Sequence, residues 1–101
     1  MENESPSAPK PIFAAFELVG RRSALRILWS IRKGPLSFRA LEAEAETNPA
    51  TLSARLAELR EAGLVELAGG YRLTKTGSDF VDLLKSWRPW AKKWAAEGRE
   101  S

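Results

Sequence analysis

Apolar positions in this chain recur first at helical and then briefly at strand spacing, and the punctuation between the runs sets the element boundaries. Ile12, Phe13, Phe16 and Val19 follow a helical rhythm that stops at Gly20. This predicts a short helix from Pro11 to Leu18, opened by proline and closed by glycine. Its aromatic face needs a surface to cover. From Arg22 to Lys33, Leu25, Leu28, Trp29 and Arg32 keep the 3.6-residue period, and Gly34-Pro35 ends it. The pattern is that of a core helix with a basic outer edge. Leu36 is a candidate for one extended residue, after which Ser37 caps a shorter helix with Phe38, Leu41 and Ala45 inward and Glu42, Glu44 and Glu46 outward.

Thr47-Asn48-Pro49 places a capping side chain before a proline, so the next helix opens sharply and runs to about Ala62, where Gly63 ends it. Leu52, Leu56 and Leu59 form its buried stripe. Val65 to Leu67 and Tyr71 to Leu73 are β-prone runs joined by Ala68-Gly69-Gly70, a tight hairpin. Thr74 caps a last helix that buries Phe80, Val81, Leu84 and Trp87, and the helical pattern resumes after Pro89 through Trp90, Trp94 and Ala95. The fold class expected is mainly α with a small β-hairpin. The order helix, helix, turn, helix, hairpin, helix is that of a winged helix-turn-helix, here with flanking N- and C-terminal helices.

A chain of 101 residues is one domain. At that size it buries only about two thirds of the surface its unfolded form exposes, so a partner subunit would help it. With 44% hydrophobic and 29% charged residues the composition is globular, and a formal charge of +3 permits a polyanionic partner without demanding one. Residues 1–11, MENESPSAPKP, are polar and proline-rich and are expected to form a disordered arm, leaving 12–97 as the folded domain. They lack the apolar stretch of a signal peptide, and nowhere do about 18 apolar residues run together, so no membrane partner and a cytoplasmic location are expected.

Cysteine and histidine are both absent. Their absence excludes disulfides, thiolate or imidazole metal sites and Cys-His or Ser-His catalysis. Asp79 and Asp82 stand three apart without a histidine or a glycine-rich phosphate loop and read as surface charges. No catalytic residue, metal or cofactor is expected, and the chain is not an enzyme on this reading.

Three segments sharpen the picture: ILWSIRKGPLSFRALEAEAE, LSARLAELREAGLV and YRLTKTG. Together they resemble the HxlR-type regulators, a branch of the MarR and PadR-like winged-helix group, over about Gly20 to Trp94. The matching positions are Phe38 and Leu41, then Leu52, Ser53, Arg55, Leu56, Leu59, Gly63 and Leu64, then Tyr71, Leu73, Thr74 and Gly77. Ser23 stands where the family usually has tryptophan, the family's N-terminal cysteine is missing, and no Arg or Lys occupies the Gly69-Gly70 tip. Thiol-based sensing therefore does not carry over.

The resemblance implies a transcription regulator that binds double-stranded DNA as a homodimer through the helix opening at Asn48, expected here to repress from a palindromic operator. Asn48, Ala50, Thr51, Ser53, Ala54 and Arg55 lie toward that helix's start and away from its leucine stripe, and are the candidate DNA-reading residues. Arg21, Arg22, Arg26, Arg32, Lys33, Arg39 and Arg72 are scattered through the domain, with Arg39 and Arg72 the preferred contacts to the DNA backbone. Glu42, Glu44 and Glu46 read as a solvated face. Ile12, Phe13, Phe16, Trp87, Trp90 and Trp94 supply more aromatic and apolar area than a small core can bury, and form the expected dimer interface. In the resembled family N- and C-terminal helices pair across a two-fold axis. Two alternatives stay open: a protein-interaction module without DNA binding, and a sensor that takes a small-molecule effector in the dimer cleft.

Overall fold

In the computed structural model, which describes residues 10–98, Pro11 opens helix α1 (Pro11–Val19). Helix α2 (Ala24–Ser30), α3 (Phe38–Glu44) and α4 (Pro49–Glu61) follow, then strands β1 (Val65–Leu67) and β2 (Tyr71–Leu73), then α5 (Lys75–Leu84) and α6 (Trp87–Ala96). The expected arm falls almost wholly outside the described residues. β1 and β2 pair antiparallel with Val65 opposite Leu73 and Leu67 opposite Tyr71. Leu36 adds an isolated bridge to the other edge of β2, exchanging hydrogen bonds with Tyr71 at 3.1 and 2.8 Å. This architecture is a winged helix-turn-helix.

The caps fall where the side-chain chemistry puts them. Ser37 Oγ accepts the Ala40 N–H, Asn48 Oδ1 accepts the Thr51 N–H at 2.8 Å, and Thr74 Oγ1 accepts the Gly77 N–H at 3.0 Å. Thr74 also donates to the Gly63 carbonyl at 2.6 Å, tying the start of α5 to the end of α4. Gly63, at φ +82°, closes α4 in a conformation that favours glycine. α5 then crosses directly over Leu64: a β-carbon on Gly77 would run into the Leu64 carbonyl oxygen.

One core joins these elements. Ile27, Leu28 and Ile31 of the α2 region meet Leu41 and Ala45, Leu52, Leu56 and Leu59 of α4, Leu64, Val65 and Val81. The predicted stripe of α2 needs correction, because Ile27 and Ile31 are buried where Leu25, Trp29 and Arg32 were expected to lead and are only half-buried. α2 is also shorter than Arg22 to Lys33. Ser23 sits at φ 70°, outside helical geometry, and beyond Ser30 the chain tightens into three-residue hydrogen bonds from Arg32 to Trp29 and Gly34 to Ile31.

The last helix breaks at Lys85-Ser86 rather than at Pro89, and Trp87 is exposed on α6 instead of buried on α5. Proline clashes with the carbonyl four residues before it, so Pro89 forces the break near Lys85 and itself falls in the first turn of α6, where its missing N–H costs nothing. Ser86 Oγ donates back to the Leu83 carbonyl at the same place.

Neither α1 nor α6 contains a buried residue. Ile12, Phe13, Phe16, Trp87 and Trp90 are each more than half exposed, and Trp94 more than a third. The radius of gyration, 15.1 Å, exceeds the roughly 13 Å of a compact 100-residue domain. The two terminal helices are thus available for an aromatic surface that their own domain does not cover.

Candidate nucleic-acid interface

The outward side of α4 is built by exclusion. Leu52, Leu56 and Leu59 take one face into the core, which turns Ala50, Ser53, Ala54 and Ala57 to solvent. Asn48 and Pro49 fix where the helix begins, so the exposed residues sit at defined turns. Over its first turns the surface is shallow, made of methyl groups, one hydroxyl and the capping amide, and the exposed long side chains of Arg60 and Glu61 follow only at the far end, beside Ala57. Such a surface fits a major groove, where a helix must approach base edges closely. Thr51 is half-buried, its N–H spent on the Asn48 cap.

Arg55 is placed differently from the rest of the sequence-derived set. Its side chain is only 13% exposed and folds along the helix against Glu58, with Nε 3.0 Å from Oε1. That contact is an ion pair without a well-aligned hydrogen bond, since buried Nε finds no acceptor at good geometry, whereas Nη2 donates to Oε2 at 3.3 Å. Arg21, in the turn after α1, reaches the same carboxylate at 3.4 Å. Glu58 therefore gathers two arginines. Sequence reading missed it, although an Arg-Glu pair three residues apart on a helix was a usable signal.

Of the two preferred backbone contacts, Arg72 is paired with a carboxylate and Arg39 only shares a cleft with two. Arg39 is exposed near the start of α3, at a cleft it shares with Glu42, Glu46 and Thr47. Arg72 lies opposite Glu66 in the hairpin and donates from Nε to its carboxylate at 2.7 Å. The wing tip closes with an Ala68 N–H to Gly70 carbonyl bond of 2.8 Å and carries no cation. Lys75 is held above the ordinary lysine range by its hydrogen bonds to Asp79, at 2.9 and 3.1 Å, and remains a solvated charge.

A polar cleft adjoins the start of α4. Arg22, Ser23 and Arg26 line it from the α2 side, and Glu46, Thr47 and Asn48 from the other. Ser23 Oγ and Thr47 Oγ1 are 3.1 Å apart, joining the turn before α2 to the turn before α4. Leu25, Trp29, Leu84, Trp87 and Arg88, with Arg26 shared from the polar cleft, line an open apolar cleft of about 350 Å³. The guanidiniums of Arg32 and Arg88 both lie over the Trp29 ring there, 4.4 and 5.3 Å from its centroid.

Residues 19–68 match the family model of a helix-turn-helix domain. Over 85 residues the chain is 28% identical to an uncharacterised helix-turn-helix-type transcriptional regulator of Methanocaldococcus jannaschii, covering 78% of this chain and 80% of that one. Among solved structures it resembles the quinone-bound YodB of B. subtilis, with a TM-score of 0.73 and 26% identity over 81% of this chain and 96% of that one. A MarR-family transcriptional regulator from Enterococcus faecalis V583 shares the fold at a TM-score of 0.69 and 21% identity, covering 98% of this chain and all of that one, 100%. The helix-turn-helix match spans α2, α3 and α4, the elements that build and present the exposed α4 surface.

Proposed function

We propose that this winged helix-turn-helix regulator of transcription works in the cytoplasm as a homodimer that represses from a palindromic operator, and that it is of the HxlR type. The observation that carries the DNA-reading part is the α4 surface: a helix start fixed by Asn48 and Pro49, a leucine face locked in the core, and small residues at Ala50, Ser53 and Ala54 turned outward. Small side chains admit the helix to the groove, where Ser53 and the Asn48 amide meet base edges or phosphates and the alanine methyls meet thymine methyls. Thr51 and Arg55 stand at the border of that surface. The HxlR-type assignment rests on Phe38, Leu41, Tyr71, Leu73, Thr74 and Gly77.

Dimerisation is supported by the uncovered aromatic faces of α1 and α6. Two-fold symmetry in the protein then calls for two-fold symmetry in the site, with half-sites about one helical turn, roughly 34 Å, or a multiple of it apart. The repressor role is carried over from the resembled family by analogy alone, its mode being a dimer that obstructs polymerase. Selection from a pool of random duplexes, followed by titration at two salt concentrations, tests the proposal. The expected result is an enriched inverted repeat bound with steep salt dependence. No enriched repeat, with binding indifferent to salt, would replace it with a protein-interaction role.

A second reading, effector sensing, is favoured by the apolar cleft beside Trp29, which adjoins α6. A ligand entering it would raise the melting temperature with concentration.

A further inference from the structure

Sequence alone points to Arg39 and Arg72 as the phosphate contacts, yet Arg72 is taken by Glu66 at 2.7 Å and Arg39 shares its cleft with Glu42 and Glu46. The described residues offer a better donor set at the start of α4. The cleft of Arg22, Ser23, Arg26, Glu46, Thr47 and Asn48 is lined by two arginines and one glutamate. Among the described residues Arg22 forms no ion pair, whereas Arg26 has Nη1 3.9 Å from Glu46 Oε1 and 3.4 Å from the Glu46 carbonyl oxygen. The first distance is a loose, highly exposed pair that Glu46 can leave by rotating into solvent; the second orients the arginine.

The remaining polar groups also have protons to give. Asn48 spends its Oδ1 on the Thr51 N–H, which leaves its NH₂ unused within the cap. Ser23 and Thr47 share one hydroxyl hydrogen between them, which leaves the other free to donate. A cleft with two arginines, a primary amide and a spare hydroxyl is suited to a tetrahedral oxyanion. Its position decides which one: it shares Asn48 with the exposed start of α4, where the sugar-phosphate edge of an occupied major groove would pass.

We infer that this cleft binds a backbone phosphate of the operator through Arg22 and Arg26, with Asn48 serving both as helix cap and as phosphate donor. The inference rests on the DNA-binding reading above. It makes Arg22 and Arg26 register-fixing residues with no base preference of their own, and it relieves the wing of that role.

The test is fluorescence anisotropy on the enriched duplex across 50 to roughly 200 mM salt, the range over which phosphate contacts dominate the salt response. Wild type is compared with Arg22→Gln, Arg26→Gln and Arg72→Gln. Arg22→Gln and Arg26→Gln should each weaken binding several-fold, equally for operator and base-substituted duplexes, and each should reduce the slope of log affinity against log salt by about one. Arg72→Gln should leave the slope unchanged. Scanning single neutral methylphosphonates along the duplex should reveal one position per half-site where wild type loses affinity and Arg22→Gln loses little more. Among the described residues the Arg22 side chain makes no ion pair or hydrogen bond, so its replacement should leave the melting temperature alone, and Arg22→Lys should restore most of the slope. If wild type binds with steep salt dependence but both glutamine variants keep that slope, this cleft is not the phosphate site and the DNA-binding reading survives. If wild type itself shows neither salt dependence nor a preferred sequence, the DNA-binding reading falls and takes the inference with it.

Discussion

Arg55 and Glu58, on the same side of α4, hold each other, with Nε and Oε1 3.0 Å apart and the arginine almost hidden from solvent. An arginine in that position reaches a guanine only after leaving its carboxylate. Glu58→Gln removes the charge that retains it, frees Arg21 from the same acceptor, and takes a carboxylate off the helix proposed to read DNA. The fold should lose about 0.5 to 1 kcal/mol in a urea titration, the scale of helical and surface pairs. Duplex affinity should rise several-fold at low salt, with a sharper preference at one base pair per half-site. Unchanged affinity and unchanged preference would assign Arg55 to holding α4 against the turn before α2.

The start of α4 is decided by Asn48 rather than by Thr47, whose hydroxyl is engaged with Ser23. Asn48→Ala should therefore cost about 1 kcal/mol, the usual loss of a helix cap, and Thr47→Ala distinctly less. Equilibrium denaturation of the two variants side by side checks this. A larger loss for Thr47→Ala would mean that the Ser23 bridge, not the cap, fixes the helix start.

Much of this architecture was legible because local chemistry settles it. Ser37, Asn48 and Thr74 announce three helix starts by side chain, Gly63 announces one end, and Leu52, Leu56 and Leu59 show which side of α4 is inward. Periodicity failed where tertiary partners decide burial. On α2 the sequence offers Leu25, Ile27, Leu28, Trp29 and Ile31 almost consecutively, and only the positions of α3 to α5 select Ile27 and Ile31 for the core. The α5 break was misplaced because proline acts on the carbonyl four residues behind it, so the kink precedes the residue that causes it. The exposed face of α4 was legible as a helix face, but the pairing of the charges around it was not. Which arginine is free depends on whether Glu46, Glu58 or Glu66 stands beside it, and those contacts span up to 37 positions, as from Arg21 to Glu58.

Gly77 has a packing role that no side chain can share. Its β-carbon position is occupied by the Leu64 carbonyl oxygen, part of the backbone that joins α4 to the hairpin. Gly77→Ala should destabilise the fold by about 1 to 3 kcal/mol, toward the upper end because backbone cannot rotate away. A thermal melt of the variant checks the cost. A stable Gly77→Ala protein would mean that α5 can slide outward from Leu64 without disturbing the wing.

The terminal helices carry the last prediction. Trp90 and Trp94 stack with ring centroids 5.8 Å apart and planes 8° from parallel, Phe13 lies 6.1 Å from Phe16, and all four rings are uncovered to a third or more. A standard protein interface removes about 800 Å² from each partner, and aromatic side chains dominate such surfaces. The chain should therefore scatter light at micromolar concentration as twice its own mass. On dilution, tryptophan emission should shift to the red as Trp87, Trp90 and Trp94 return to water. Trp94→Asp should move that transition to higher concentration, because an unpaired carboxylate would enter a desolvated patch. Its effect on DNA separates the dimer from the reading helix. The variant should lose its preference for an inverted repeat over a single half-site while retaining weak, salt-sensitive binding to the half-site, since α4 and the Arg22 cleft are untouched. Loss of half-site binding in a folded Trp94→Asp protein would show instead that α6 supports the reading helix directly, and wild type that scatters as a single chain would remove α1 and α6 from self-association.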